Sequence, residues 1–409
     1  MTGRALAPAD RPLAGVRVLA VEQYGAGPFA SMYLADMGAE IIKIEPPRRG
    51  KVPGGDSSRH SGPHFLGDND SEFFQTFNLA KRSVSLDIHA PEGRAIFHKL
   101  VGTADAVLNN LRGDQPAKLG LTHEALGGIK DSIVCAHLSG YGRVGARANW
   151  PAYDYLLQAE AGFMDVTGEP DTPPTRMGLS IVDYLSGITT AFALTAALYG
   201  AARTGRGRDV DVSLYDVAMH QLTYPAIWYL NEGDVISRRP RSGHPSAVPC
   251  ETFPTADGHI FVMCILPKFW EALCAIAGHE EWASDERFAT PAARRKNRDV
   301  LAALLDEVFV TRTTTQWMAA LAGNVPAAPV LTMPAALDNP YLHGSGGVQT
   351  VDHPGKPEGL RVLTSPIRLS GERIATKRAP ALGEDTDDIL GQIGISSAEI
   401  EELRARGVI

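Results

Sequence analysis

The sequence predicts an α/β protein with a mostly parallel sheet covered on both faces and a smaller second domain. Two observations carry this. Short β-branched runs alternate with helical stretches through the first half, and a segment dense in Arg, Ser, Gly and Pro then precedes a hairpin and an amphipathic helix. At 409 residues the chain exceeds what one compact core usually supports, so two domains or one large domain with an insertion are expected.

Residues 16 to 22 (VRVLAVE) read as the first strand. Gly25-x-Gly27-Pro28 then turns the chain into an apolar-periodic helix to Met37, which Gly38 stops. AEIIKIE, RSVSLDI, ADAVLNN and SIVCAHL follow as strands, with PEGRAIFHKLV and THEALGGI as helical stretches between them. TGRGRDVDVSLYD alternates Val210, Val212 and Leu214 with polar residues, the period of a half-exposed strand. A helix from about Val217 to Trp228 leaves the first domain, and residues 238 to 249 form a linker or loop. ETFPTADGHIFVMC reads as a hairpin turning at Asp257-Gly258. AARRKNRDVLAALLDEVF reads as one amphipathic helix with Val300, Leu301, Leu304, Leu305 and Val308 on its apolar face. Asp385 or Thr386 caps a short helix through Leu390, and Ser396-x-x-Glu399 is a capping box before a final helix.

A composition of 44% hydrophobic and 21% charged residues excludes a disordered chain. The net charge of −8 argues against a nucleic-acid partner, because phosphate neutralisation needs a dominant basic face. Cys135, Cys250, Cys264 and Cys274 lack C-x-x-C spacing, which fits buried thiols in a reducing compartment and no structural zinc or other metal. The opening residues lack the apolar run of a signal peptide, and the 16 residues from Gly187 read as a buried helix short of the ~20 needed to cross a bilayer. A cytoplasmic protein with no membrane partner is expected.

In an open parallel sheet the ligand crevice lies beyond the carboxyl ends of the strands. Those ends carry Gln23-Tyr24-Gly25-Ala26-Gly27, Glu45 to Lys51, Asn109 to Arg112 and Ser139-Gly140-Tyr141-Gly142. Gly25-x-Gly27-x-x-Ala30 allows close backbone approach at a helix start that offers unpaired N–H groups to an anion. With Glu45 as a ribose ligand this is the fingerprint of a nicotinamide dehydrogenase; without it, a plain tight turn. Arg48, Arg49 and Lys51, with Lys81, Arg82 and Lys118, are either solvated loop charges or the cluster that the phosphates of coenzyme A require. Asp171 lies in the Pro-rich turn TGEPDTPP, where an Asp usually serves as a turn former.

Taken in order, LAGVRVLAVEQYGAGPFASMYLADMGAEIIKIEPP, NLAKRSVSLDIHAPEGRAIFHKLVGTADAVLNN, SGYG, TGRGRDVDVSLYD, DERFATPAARRKNRD and RAPALGEDTDDIL resemble the class III coenzyme A transferases, the group that includes formyl-CoA:oxalate transferases and α-methylacyl-CoA racemases. The resemblance implies a Rossmann-like large domain formed by both chain ends with a smaller α+β domain inserted. It also implies an interlocked homodimer and coenzyme A in place of NAD at the glycine turn. The boundaries it suggests are 12–216 and 331–409 for the two parts of the large domain, the second including a return linker, with 217–240 as linker helix and 241–330 as small domain.

By the same resemblance Tyr24, Gly25, Ala26, Leu86, Ile88, His89, Asn110, Leu111, Lys118 and Leu119 line the coenzyme A site, and Ser139, Gly140 and Tyr141 flank its thioester end. The turn at Asp171 aligns with the nucleophile of the transferases. The expected reaction moves coenzyme A from an acyl-CoA donor to a free carboxylic acid through an aspartyl anhydride and an aspartyl-CoA thioester. The proton-transfer His of the racemases aligns with Tyr153 and their Asp with Asp183; a phenol is a poor base at neutral pH, which disfavours racemisation. A racemase or epimerase-like enzyme and a non-catalytic acyl-CoA-binding subunit are the alternatives. The oxalate-type enzymes have Gln, Arg and Lys at the positions of Gly25, Pro46 and Ser139, and four consecutive glycines where SGHPSAVPC holds Gly243, so oxalate is not the expected acceptor. His137 reads as a structural strand residue.

Overall fold

The computed structural model describes residues 10–409. The strands β1 (Arg17–Val21), β2 (Glu40–Glu45), β3 (Arg82–Ser85), β4 (Ala106–Asn109), β5 (Val134–Ser139) and β6 (Arg208–Ser213) form one sheet. Its order is β3-β2-β1-β4-β5-β6 and every pairing is parallel. This is the doubly wound Rossmann order, in which the connections reverse direction between β1 and β4 and leave a crevice at their carboxyl ends. The sheet forms because its strands are nearly continuous apolar runs; Val18, Leu19, Ala20, Ile42, Val107 and Leu108 have no solvent exposure.

Helices cover both faces. On one side lies α1 (Ala26–Asp36), packed along the long helix formed by Ile181–Thr204, with the core of Val18, Ala20, Ala30, Leu34 and Leu194 between them and the sheet. On the other lie α2 (Pro91–Val101) and the C-terminal helices Thr386–Gln392 and Ser397–Ala405, over a core containing Leu19, Ile44, Phe97, Leu100, Ile389 and Leu403. We number the helices that matter below α3 (Asp154–Glu160) and α4 (Ile181–Thr204). The Ser396/Glu399 capping box is present, whereas Asp385 caps no helix with its side chain and instead bonds Arg82 and the Ser83 N–H.

The chain divides into two compact units. The first contains residues up to Ala161, Gly178–Gln221 and Pro340–Ile409; the second contains Gly162–Met177 and Leu222–Asn339. In the second unit β7 (Cys250–Pro254), β8 (His259–Met263) and β9 (Ala327–Pro329) form an antiparallel sheet with β8 central. Phe253, Trp270, Phe288, Leu301, Leu305, Phe309 and Trp317 make its core. The expected single amphipathic helix is two, Pro291–Lys296 and Arg298–Phe309, broken at Asn297, whose side-chain amide bonds the Arg287 and Ala293 carbonyls. Leu301, Leu305 and Val308 are buried as their spacing implies, but Val300 is exposed.

The apolar stretch from Gly187 belongs to α4, which is 24 residues long and is long and apolar enough to cross a membrane by length and composition. Only one of its faces is buried; Ile188, Phe192 and Tyr199 are exposed. The buried face is set by Gly187. A Cβ there would stand 2.8 Å from the Ala26 carbonyl oxygen and 3.1 Å from the Phe29 ring, so the missing side chain is what lets α4 approach the start of α1. In an ordinary helix Gly→Ala gains ~1 kcal/mol, but overpacking against backbone costs ~1–3 kcal/mol. Gly187→Ala is therefore expected to lower the unfolding free energy by up to about 2 kcal/mol, read by urea denaturation.

Candidate functional site

The crevice at the β1/β4 reversal is occupied by two hollows of the first unit. Cavity I, about 700 Å³, is lined from β1 by Gln23, Tyr24, Gly25 and Ala26, from β4 by Asn110, Leu111 and Arg112, and from β5 by Ser139 and Gly140. Trp150 to Tyr153 and Asp183 of α4 complete it. Cavity II, about 220 Å³, is lined by Leu86, Ile88, His89, Leu119 and Pro46 among others. Gln23 and Leu111 line both.

The wall of cavity I is held by a clamp on residues 23 to 25. The Asn110 side chain accepts from the Gln23 N–H at 2.9 Å and donates to the Gln23 carbonyl at 2.7 Å. The Tyr24 N–H donates to both oxygens of Asp56, at 3.0 and 3.2 Å, and Tyr24 sits in the left-handed region with φ 69°. A Cβ on Gly25 would fall 2.6 Å from an Asp183 oxygen, and one on Gly27 would fall 2.7 Å from Asn110 Cγ. Both glycines are thus required by close approach.

Beneath the clamp lies a buried ionic ladder. Lys43 Nζ pairs with Asp56 at 2.9 Å, Lys81 Nζ with Glu22 at 2.8 Å, and Arg59 with both oxygens of Glu45. Burial opposes each charge, but Asp56, Glu22 and Glu45 together hold the Lys43 ammonium above its usual range, and Lys43 holds Asp56 below its own. Burial is the stronger influence on Lys81 and pulls it down to about 8.

Asp183 is the one carboxylate, and Arg112 the one cation, among the residues lining cavity I. Burial, and secondarily the carboxylate of Asp154, push Asp183 up to about 7. Asp154 of α3 accepts from the Asp183 N–H at 3.0 Å and from Gln158 at 2.6 Å, fixing the first turn of α4. Tyr153 lines the same cavity, so the positions of the racemase His and Asp come together while the imidazole is replaced by a phenol.

Seven of the residues expected at the site, Tyr24, Gly25, Ala26, Asn110, Leu111, Ser139 and Gly140, line cavity I. Leu86, Ile88, His89 and Leu119 line cavity II together with Leu111. Lys118 lines neither; it is exposed and pairs with Asp114. Tyr141 turns aside to donate to Glu160 and packs against Trp150 and Tyr215, while Arg147 lies over its ring. Arg49 pairs with Asp87 at the edge of cavity II, while Arg48 and Lys51 are exposed. Glu45 is neither a solvated strand end nor a free ribose ligand, because Arg59, Ser83 and the Asp56 N–H use its carboxylate.

Asp171 belongs to the second unit and lies in an exposed turn, absent from the lining of both cavities. Arg238 organises that turn by donating to the carbonyls of Asp165, Glu169, Thr172 and Pro173. The sequence placed Gln23 and Arg112 at the rim and aligned Asp183 with the racemase Asp without assigning them a part in transfer; all three line cavity I. His137 is buried in β5 between Asn109 and Asp209, and all four cysteines are buried and unpaired. Among the described residues no cluster of His, Cys, Asp and Glu is arranged to hold a metal ion.

The chain is similar to proteins of known activity over almost its whole length. It is 34% identical to the succinate–glutarate CoA-transferase of Agrobacterium fabrum, covering 93% of this chain and 96% of that protein. It is 32% identical to the succinyl-CoA:mesaconate CoA-transferase of Haloarcula hispanica over the same shares of the two chains. The crystal structure of a CAIB/BAIF family protein from Brucella suis superposes with a TM-score of 0.80 at 32% identity, covering 94% of this chain and 99% of that one. The profile of CoA-transferase family III matches residues 13–386. With the parallel sheet, the glycine turn and the paired hollows at its switch point, this chain belongs to CoA-transferase family III, and it is a CoA-transferase.

Proposed function

We propose that the protein moves coenzyme A from an acyl-CoA donor to a free carboxylic acid, with Asp171 as the nucleophile. The observation that supports the assignment is that Asp171 stands exposed in a turn whose carbonyls Arg238 holds, at the position that the family resemblance gives to the nucleophile. An ionised Asp171 oxygen attacks the thioester carbonyl; the C–S bond breaks, and a mixed anhydride and coenzyme A thiolate result. The thiolate attacks the aspartyl carbonyl and releases the donor acid, leaving an aspartyl-CoA thioester. The acceptor carboxylate then opens that thioester, and the thiolate takes the new acyl group from the second anhydride, freeing Asp171. Backbone N–H groups at the start of α1 and near Gly140 supply oxyanion donors, typically worth ~3–4 kcal/mol each.

Coenzyme A fits the two hollows by chemistry. Cavity II offers apolar Leu86, Ile88 and Leu119 to an adenine, with Arg49 close by for a phosphate, and the shared Gln23 and Leu111 lead to the reacting end. The related enzymes are named for succinate, glutarate and mesaconate, which supports a dicarboxylic substrate. Arg112, with half of its side chain exposed in cavity I, is suited to the distal carboxylate. The exposed face of α4 at Ile188, Phe192 and Tyr199 supports a homodimer, in the interlocked form that the family resemblance implies, and four unpaired cysteines fit a reducing cytoplasm.

Intact-mass analysis after incubation with succinyl-CoA, followed by hydroxylamine trapping and peptide mapping, is expected to place the adduct on Asp171. Asp171→Ala should lose at least about 10³-fold in turnover. An adduct on another residue, Asp183 included, overturns the assignment. Arg112→Ala should lower kcat/KM for succinate by roughly 10- to 100-fold, the ~1.5–3 kcal/mol of a charged hydrogen bond, and leave butyrate nearly unchanged.

Stability depends on pH through the raised Asp183. The folded protein holds this proton above the ordinary 3.8, so between that value and about 7 the native state binds more protons than the unfolded one, and Asp183 costs stability increasingly as pH rises. Asp183→Asn should therefore gain stability over the parent at pH 8 but not at pH 4, as read by denaturant unfolding at both.

A further inference from the structure

We infer that Trp150, held in place by Arg147, is a specificity-determining residue: its ring limits the length of the dicarboxylic acid that cavity I accepts. The inference rests on the proposed reading of cavity I as the compartment for the acyl group, with Arg112 on the distal carboxylate.

Trp150 carries the largest side chain in the lining of cavity I, where the turns after β1 and β5 contribute small residues such as Gly25, Ala26, Ser139 and Gly140. A further close approach brings it there. A Cβ on Gly140 would fall 2.3 Å from the Ala152 Cβ, so the bare residue 140 is what lets the segment 150–153 lie against the end of β5. The indole is 50% exposed and belongs to neither core of the sheet, yet it is not free to swing aside. The Trp150 N–H donates to the Arg147 carbonyl at 2.9 Å, closing a tight turn between the two residues. The Arg147 guanidinium lies 4.7 Å from the centre of the indole and 4.9 Å from that of the Tyr141 ring. Glu160 fixes both partners, pairing with Arg147 and accepting the Tyr141 hydroxyl at 2.8 Å. Tyr141 in turn meets the indole edge to face at 6.0 Å. Each such contact is modest, but together they hold a half-exposed ring in one position.

The cation of cavity I is tied to the same segment. Arg112 Nη1 donates to the Asn149 carbonyl at 3.4 Å, one residue before Trp150. A dicarboxylic chain with its far end on Arg112 therefore runs its methylenes beside the indole. Each added methylene must then be placed against a ring that Arg147 keeps from moving, and one methylene too many in an apolar pocket costs roughly 10- to 200-fold in kcat/KM. Arg147 touches no substrate in this arrangement and acts through Trp150, as a positioning residue.

The test measures transfer from succinyl-CoA to glutarate, adipate and pimelate, each one methylene longer than the last. It compares the parent with Trp150→Ala, Trp150→Phe and Arg147→Ala, with melting temperature as the structural readout. The parent is expected to favour glutarate over adipate by roughly 10- to 100-fold in kcat/KM, and Trp150→Ala to reduce that preference at least about tenfold and to admit pimelate. Trp150→Phe, with its smaller ring, and Arg147→Ala, which leaves the indole unheld, should each reduce it by about threefold or more. Because the ring is half exposed, all three variants should melt within about 5 °C of the parent. A parent that takes the three acids equally, or a glutarate preference unchanged in Trp150→Ala, overturns the inference; should the alanine variant be inactive, an unchanged preference in Trp150→Phe does so. A preference that changes only in step with melting temperature overturns it as well, and an unchanged preference in Arg147→Ala removes the part assigned to Arg147. Should Arg112→Ala leave the preference for glutarate over butyrate unaltered, or the parent transfer no coenzyme A, the reading of cavity I fails instead.

Discussion

A methyl group on residue 25 would stand 2.6 Å from an Asp183 oxygen, and the turn after β1 meets the start of α4 across that short gap. The strand that delivers residue 25 and the helix that delivers Asp183 come from opposite ends of the first 200 residues, and they meet because two further glycines allow it. Gly27 lets Asn110 close over the turn, and Gly187 lets α4 settle onto α1. Side chains at these positions would force a shift of Asp183, of Asn110, and of α1 at Ala26 and Phe29, respectively. Close approach, rather than glycine flexibility, is the reason for the pattern.

That geometry has an electrostatic price. Packing the turn onto Asp183 strips water from its carboxyl, and Asp154, needed to fix the first turn of α4, adds like charge. The protein compensates nearby with opposite charge only beneath the turn, where Lys43, Lys81 and Arg59 are each matched to a carboxylate. Cavity I itself keeps one acid and, in Arg112, one cation. The contrast is between a saturated ladder and a sparsely charged hollow.

The sheet was legible in the sequence because each strand is a self-contained β-branched or apolar run, and the rim residues followed from the rule that ligands sit at the carboxyl ends of such strands. Helix details were less legible. Periodicity cannot register the break at Asn297, which a side-chain amide makes by bonding the Arg287 carbonyl, and it cannot tell which face of α4 the sheet covers. The two acids differ in what sequence shows of them. Asp171 stands out locally, ringed by prolines, and Arg238 organises its turn through backbone carbonyls. Asp183 looks unremarkable in sequence, because what distinguishes it is burial beside Asp154, which arises only in the folded chain. Glu45 failed as a ribose ligand for a similar reason: Arg59, fourteen positions on, folds back to take both of its oxygens.

The shared walls of the two hollows, Gln23 and Leu111, make a waist. In the reaction we propose, coenzyme A threaded through it is on a leash: with the nucleotide end lodged in the smaller hollow, the sulfur set free in each half-reaction would not diffuse away and would remain at a high effective concentration beside the aspartyl carbonyl it attacks next. Recapture of the thiol then costs no second encounter, and the slow, wasteful competitor, water, faces a partner that never leaves.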